Sequence, residues 1–193
     1  MRALVLSAVL LSAATLAQDT APYFPDGAFS DRPQADGFLQ VVFSSHLAFV
    51  DEPRLCCGAQ FDGAAYRLAL FRSFDPTIVI RLQRAPSGEW LLHTKTVDGN
   101  PDREKRADPT AVVRQVSAEE TSTLLVAFER ADFWSLPSKD PRASGLDGSH
   151  WVIEARVGDR YHYAVRWSPE AGRVREIGDV FLERSGEDLG AIY

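Results

Sequence analysis

The sequence predicts an α+β fold, a single domain in which an antiparallel β-meander and a C-terminal β-hairpin pack with about three helices. Three observations carry this expectation. Four strand-length runs (residues 66–73, 77–84, 90–96 and 111–116) follow one another, the first three breaks marked by Asp75-Pro76, Ser87-Gly88 and Asp98-Gly99. The string Ser117-Ala118-Glu119-Glu120 has the spacing of a capping box, in which hydroxyl and carboxylate satisfy orphan amides at a helix start. Residues 151–157 and 161–167 are two aromatic-rich runs separated by a Gly-containing turn.

Taken in order, Met1-Arg2 supplies a positive charge and residues 3–16 are almost uninterruptedly small or apolar, the pattern of a secretory signal peptide with small residues Thr15 and Ala17 before Gln18. That run is shorter than the roughly 20 residues a membrane-crossing helix needs, so no span is expected after its removal. The expected organisation is signal peptide 1–17, a mobile or surface-draped lead-in 18–37 rich in Pro, Asp and Gly, and one α+β domain 38–193. The product is expected to be periplasmic or secreted.

Leu39, Val42, Phe43, Leu47 and Val50 fall at helical spacing, with Asp36 as a cap and Glu52-Pro53 as the stop. The β-branched and aromatic content of residues 38–43 would suit a strand equally well. A second helix is expected from Ser117 to about Phe133, with Leu124, Leu125, Phe128 and Ala131 on its buried stripe and Pro137 closing the segment. A last helix carries Val174, Ile177 and Phe181 and ends at Gly186. Keeping apolar residues of the hairpin on one face requires a three-residue loop, Val157-Gly158-Asp159, which sets Trp151 against Val165, Ile153 against Tyr163 and Ala155 against Tyr161. A two-residue loop would instead pair Ile153 with Ala164 and Ala155 with His162.

The chain carries 21 basic and 27 acidic residues; loss of Arg2 with the leader leaves 20 against 27, or −7. Its 18 arginines and three lysines, Lys95, Lys105 and Lys139, are scattered among acids, which argues against nucleic acid as a partner. The series Phe133-Trp134-x-Leu136-Pro137, Gly145-Leu146-Asp147-Gly148, Trp151, Glu154, Tyr161-His162 and Arg166-Trp167-Ser168-Pro169 resembles hypothetical exported proteins of bacteria. The resemblance covers mainly the C-terminal third, implies a folded bacterial domain, and carries no catalytic residue across.

In the three-residue-loop register, Glu154 and His162 become neighbours on one face, where a carboxylate fixes an imidazole tautomer and raises its basicity, and Arg166 projects beside them to hold an anion. A plain cross-strand pair accounts for the same residues. Ser44-Ser45-His46 is a weak triad signal, since adjacent helical residues point about 100° apart and no Gly-x-Ser-x-Gly elbow occurs. His46, His93, His150 and His162 lack metal-ligand spacing, and the acidic loop 140–147 lacks the alternating ligands of a calcium site, so neither metal nor cofactor is expected.

Cys56-Cys57 excludes an ordinary loop-stapling disulfide and leaves three readings: a vicinal disulfide, two buried thiols, or a link to another chain. The aromatic residues Trp134, Trp151, Tyr161, Tyr163 and Trp167 are expected in the core. The leading functional expectation is a non-catalytic exported binding or accessory protein of the cell envelope, with an envelope protein or glycan as partner. The alternative is a small hydrolase or anion-binding enzyme using Glu154, His162 and Arg166.

Overall fold

The computed structural model describes residues 22–57, 61, 63–97, 109–140, 145 and 147–193. The expected signal peptide with its cleavage site, Gly58, the Asp98-Gly99 turn, Lys105, and positions 141–144 and 146 of the acidic loop lie outside the described residues.

A six-stranded antiparallel sheet organises the chain. Helix α1 (Pro33–Phe49) leads into strands β1 (Ala64–Arg72), β2 (Thr77–Arg84), β3 (Trp90–Val97) and β4 (Thr110–Gln115). Helix α2 (Ala118–Arg130) and a 3₁₀ turn (Phe133–Ser135) precede β5 (Ser149–Val157), β6 (Arg160–Trp167) and helix α3 (Arg173–Ser185). The strand order is β4-β3-β2-β1-β5-β6. The first four strands form the predicted meander, and the hairpin joins at β1, with β5 antiparallel to it. The α+β architecture is therefore as the patterning predicts.

Helices cover both faces of the sheet. Leu68, Leu70, Ile80, Leu82, Trp151 and Ile153 on one face meet Leu124, Phe128, Ile177 and Phe181 of α2 and α3. Ala69, Phe71, Val79, Val152 and Val165 on the other meet Phe43 and Leu47 of α1. The Ser117 hydroxyl accepts from the Glu120 amide while the Glu120 carboxylate accepts from the Ser117 amide, the predicted reciprocal cap. Gly186 closes α3 in the left-handed region at φ 71°, where a residue without Cβ is unstrained.

The structure corrects four expectations. The lead-in, from Pro22 onward, is packed: Tyr23, Phe24 and Ala28 are buried against Phe43 and Phe71, and an apolar ring the size of Phe24 contributes about 2–3 kcal/mol when it leaves water. Helix α1 begins three residues earlier than Asp36, with proline in its first turn. Asp36 lies inside that turn and faces backward, accepting from the Gly27, Phe29 and Ser30 amides at 2.9, 2.8 and 3.2 Å and so tying the lead-in to the helix. Burial opposes its charge, but those amides hold its carboxyl below the usual range.

Helix α2 stops at Arg130 rather than near Phe133, because Asp132 turns left-handed at φ 45° and the chain tightens into the 3₁₀ turn. The hairpin takes the two-residue loop Gly158-Asp159, pairing Ile153 with Ala164, Ala155 with His162 and Glu154 with Tyr163. The one-apolar-face argument selected the wrong register because β5 is buried on both faces, so alternation along it does not mark a solvent side.

Candidate functional site

With that register, the Glu154, His162 and Arg166 set is not brought together. Glu154 faces the α1 layer, whereas His162 and Arg166 face the α2/α3 layer. His162 Nε2 donates to the Leu136 carbonyl at 2.9 Å, and burial holds its pKa below the ordinary histidine value. Arg166 donates to the carbonyls of Val165 and Pro137 at 2.7 and 2.9 Å. Both side chains bind the segment that runs along the outer edge of β6, and their role there is positional.

Glu154 belongs instead to a buried charge cluster that sequence reasoning missed. Register places Arg67 of β1 between Arg81 of β2 and Glu154 of β5 on one face. Arg67 Nη2 lies 2.6 Å from Glu154 Oε2, and its Nη1 lies 3.4 Å from Glu52 Oε2 and donates to the Pro53 carbonyl at 2.8 Å. Arg81 Nε and Lys95 Nζ approach Glu52 at 2.9 and 2.8 Å. Lys95 also donates to the Val50 and Asp51 carbonyls, and Arg156 Nη1 to that of Leu55. Four cations from four strands thereby lace down the loop 50–57.

The electrostatics of this cluster favour charge at Glu52 and oppose it at Glu154. Burial alone would raise Glu52, but Arg81, Arg67 and Lys95 outweigh it and hold the carboxyl low. Burial raises Glu154 despite Arg67 and the 2.9 Å hydrogen bond from Tyr161. The Tyr161 hydroxyl is pushed well above its ordinary value by burial and by Glu154. The legible signal was a basic residue in the middle of each apolar strand run, Arg67 in Tyr66–Phe71 and Arg81 in Ile78–Leu82. Such cations are almost never fully buried unless paired. Withdrawn from water and occupied by one another, these groups act on the fold.

At the end of the laced loop, Cys56 and Cys57 are joined as a vicinal disulfide, with Cys56 buried and Cys57 exposed. His46 sits on α1 with Nδ1 2.7 Å from Thr77 Oγ1, so the Ser44-Ser45-His46 string contributes a helix-to-sheet contact, and Ser45 donates back to the Val42 carbonyl. Among the described residues no group of three or more His, Cys, Asp or Glu side chains is placed to hold a metal ion.

The residues behind the bacterial resemblance have packing roles. A Cβ on Gly145 would lie 2.8 Å from Trp167 Cε2, and one on Gly148 would lie 2.6 Å from Trp167 Cζ2, so these glycines let the loop lie against the indole. Trp151 is fully buried, donates from Nε1 to Ser149 Oγ and to the Tyr193 backbone oxygen, and lies under the Arg175 guanidinium 4.7 Å from the ring centroid. His150 is boxed by Phe43 and Trp167 at centroid distances of 5.1 and 4.8 Å, and burial lowers its pKa to about 4. Trp134, Tyr163 and Trp167, expected in the core, are only partly buried, and Trp134 carries the Arg160 guanidinium over its ring.

The accessible concavity most at odds with an ordinary surface lies on α1. Its exposed positions are Pro33, Gln34, Ala35, Gly37, Phe38, Val41 and Ala48, none of them charged. Phe38 and Val41 are 68% and 70% exposed. A groove of about 750 Å³ runs along the helix, lined by apolar Pro22, Phe24, Pro33 and Val41 together with Gln40, Ser44 and the carboxylates of Asp26, Asp31 and Asp36. The outer face of a surface helix ordinarily carries charge, and apolar residues lining a groove there mark a place where another molecule packs. The helix has 17 residues, and no described helix is long and apolar enough to cross a membrane. The sequence matches no protein-family model and no curated protein.

Proposed function

We propose that the protein is a non-catalytic binding or accessory module of the bacterial cell envelope, exported by its N-terminal leader, that takes an apolar segment of an envelope protein into the α1 groove. The observation that carries this reading is the uncharged exposed face of α1, with Phe38 and Val41 turned to solvent beside the groove. Two features support it. The interior charges engage one another or backbone carbonyls, and so hold the α1-to-sheet layer rather than the surface. The lead-in that forms one groove wall is itself pinned, through Asp36 and through Gln40 Nε2 donating to the Pro25 carbonyl at 2.7 Å, so the groove is preformed and little ordering entropy opposes binding.

Affinity capture of residues 18–193 from envelope extract tests the proposal. It requires one saturable protein partner that Val41→Lys and Phe38→Ser each weaken at least tenfold while leaving the circular dichroism spectrum unchanged. Capture indifferent to both substitutions contradicts it.

A further inference from the structure

The two edges of the sheet are treated differently. Along β6, the Val165 amide donates to the Ser138 carbonyl at 2.7 Å, and His162 and Arg166 hold the carbonyls of Leu136 and Pro137, so a neighbouring segment covers that edge. Strand β4 has no such cover among the described residues. Its inner side pairs with β3 from Thr96↔Thr110 to Leu91↔Gln115, and its outer side pairs with no described segment. Five of its six residues are exposed, including Val112 at 40% and Val113 at 54%. Within Thr110–Gln115 there is no Pro, no Gly and no carboxylate. The single charge, Arg114, is drawn inward to Glu120 at 2.8 Å and to the Arg184 carbonyl at 2.7 Å. An edge with these properties lacks the usual devices that prevent strand addition.

We infer that β4 is a homodimer interface, at which two copies pair edge to edge, antiparallel, about a twofold axis perpendicular to the sheet, with Val112 opposite the partner's Val112. Face parity limits the choice of register. Such an axis keeps each face of the sheet continuous between copies, so only residues of the same face can oppose one another. Val112 shares its face with Thr110 and Arg114, and Val113 shares its face with Ala111 and Gln115.

Two central registers satisfy this condition. Centring on Val112 sets Ala111 against the partner's Val113 and Thr110 against the partner's Arg114, so apolar meets apolar and no like charges meet. Centring on Val113 keeps Val113 against the partner's Val113 but sets Val112 against the partner's Arg114 and Ala111 against the partner's Gln115, so Val112 meets a charge and Ala111 an amide. Cross-strand pairing favours the first. A second copy fits better than an unrelated strand, because the apolar pair and its polar flanks are complementary to themselves. The outcome is a continuous twelve-stranded sheet with the α2/α3 layers of both copies on one side. Six residues a side make a small interface, so the dimer is expected to be weak and concentration-dependent.

Sedimentation velocity of residues 18–193 from low micromolar to millimolar concentration tests this, together with charge variants at the axis. Val112 is exposed, so Val112→Lys and Val112→Glu are tolerated by the fold, which circular dichroism verifies. Wild type is expected to associate with rising concentration. Each variant alone is expected to weaken association at least tenfold, because two like charges face each other, and mixing the two is expected to restore it as a heterodimer. Oxidised Val112→Cys is expected to form a covalent dimer, while Val157→Cys on another strand does not. A wild type that stays monomeric to millimolar concentration overturns the inference, as does association that survives Val112→Lys.

Discussion

Arg67 Nε donates to Glu154 Oε2 at 2.8 Å across 87 residues of sequence, with both side chains wholly removed from solvent. This contact joins the meander to the C-terminal hairpin, and through Glu52 it ties both to the loop beneath α1. Removing one partner leaves a charge buried without compensation. Arg67→Met takes the cation away from Glu154, while Glu52 keeps Arg81 and Lys95, and is therefore expected to lose about 3–5 kcal/mol of stability by chemical denaturation. Glu154→Gln keeps the shape and removes a charge that burial already disfavours, and so is expected to lose less.

Tyr161→Phe removes the hydroxyl that donates to Glu154 Oε1. An expected loss of about 1–3 kcal/mol follows from leaving a buried acceptor unsatisfied. Because Tyr161 and Glu154 share a face only in the two-residue-loop register, a neutral effect measured by urea unfolding would count against that register.

His93 and His150 are held to about pH 4 in the folded protein, His93 by burial and then by Arg81 and Lys95 against the opposing pull of Glu52, and His150 by burial. In the unfolded chain both return to the ordinary value of 6.5, so the unfolded state binds more protons between those limits. Stability is therefore full above about pH 6.5 and declines as pH falls toward 4. Glu52, whose carboxyl is held low, extends the loss to more acid pH, whereas Glu154, whose carboxyl is raised, opposes it. Melting temperatures measured across pH 4–8 are expected to show the decline, and His150→Phe, which fits the Phe43 and Trp167 box, to flatten it.

Gly178→Ala places a Cβ 2.7 Å from Trp151 Cε3 inside a filled core. Overpacking of this kind costs about 1–3 kcal/mol, so the variant is expected to melt earlier than wild type in a calorimeter. An unchanged melting temperature would mean that α3 does not close on Trp151.

Much of the fold was legible in the sequence, for identifiable reasons. The meander strands are bounded by Asp-Pro and Ser-Gly turns, Ser117 and Glu120 have capping spacing, and Gly186 supplies a left-handed stop, so local chemistry alone places β1, β2, β3, α2 and α3. What failed depends on tertiary burial. The register of β5 and β6 was misjudged because helices cover both faces of the sheet. Residues 22–32 read as a mobile or surface-draped lead-in because their few aromatics, Tyr23, Phe24 and Phe29, show no period, although Phe24 and Phe29 stack edge to face 5.0 Å apart. The basic residues within the apolar strand runs were the one legible sign of the charge cluster; its pairing was not legible, because Arg67 bonds partners 15 and 87 residues away and only strand pairing unites them. The α1 groove depends on the lead-in folding back, which nothing in the helix itself announces.

The proposed function requires that the uncharged face of α1 hold a partner in the envelope. It is tested by in-cell photocrosslinking of the exported protein, with a photoreactive phenylalanine analogue at position 41 and, as control, at the exposed turn residue Asp159. One dominant protein adduct is expected from position 41, lost when Phe38→Ser is added and absent from position 159. The same adducts from both positions, or none from position 41 in a protein that is exported and folded, would contradict it.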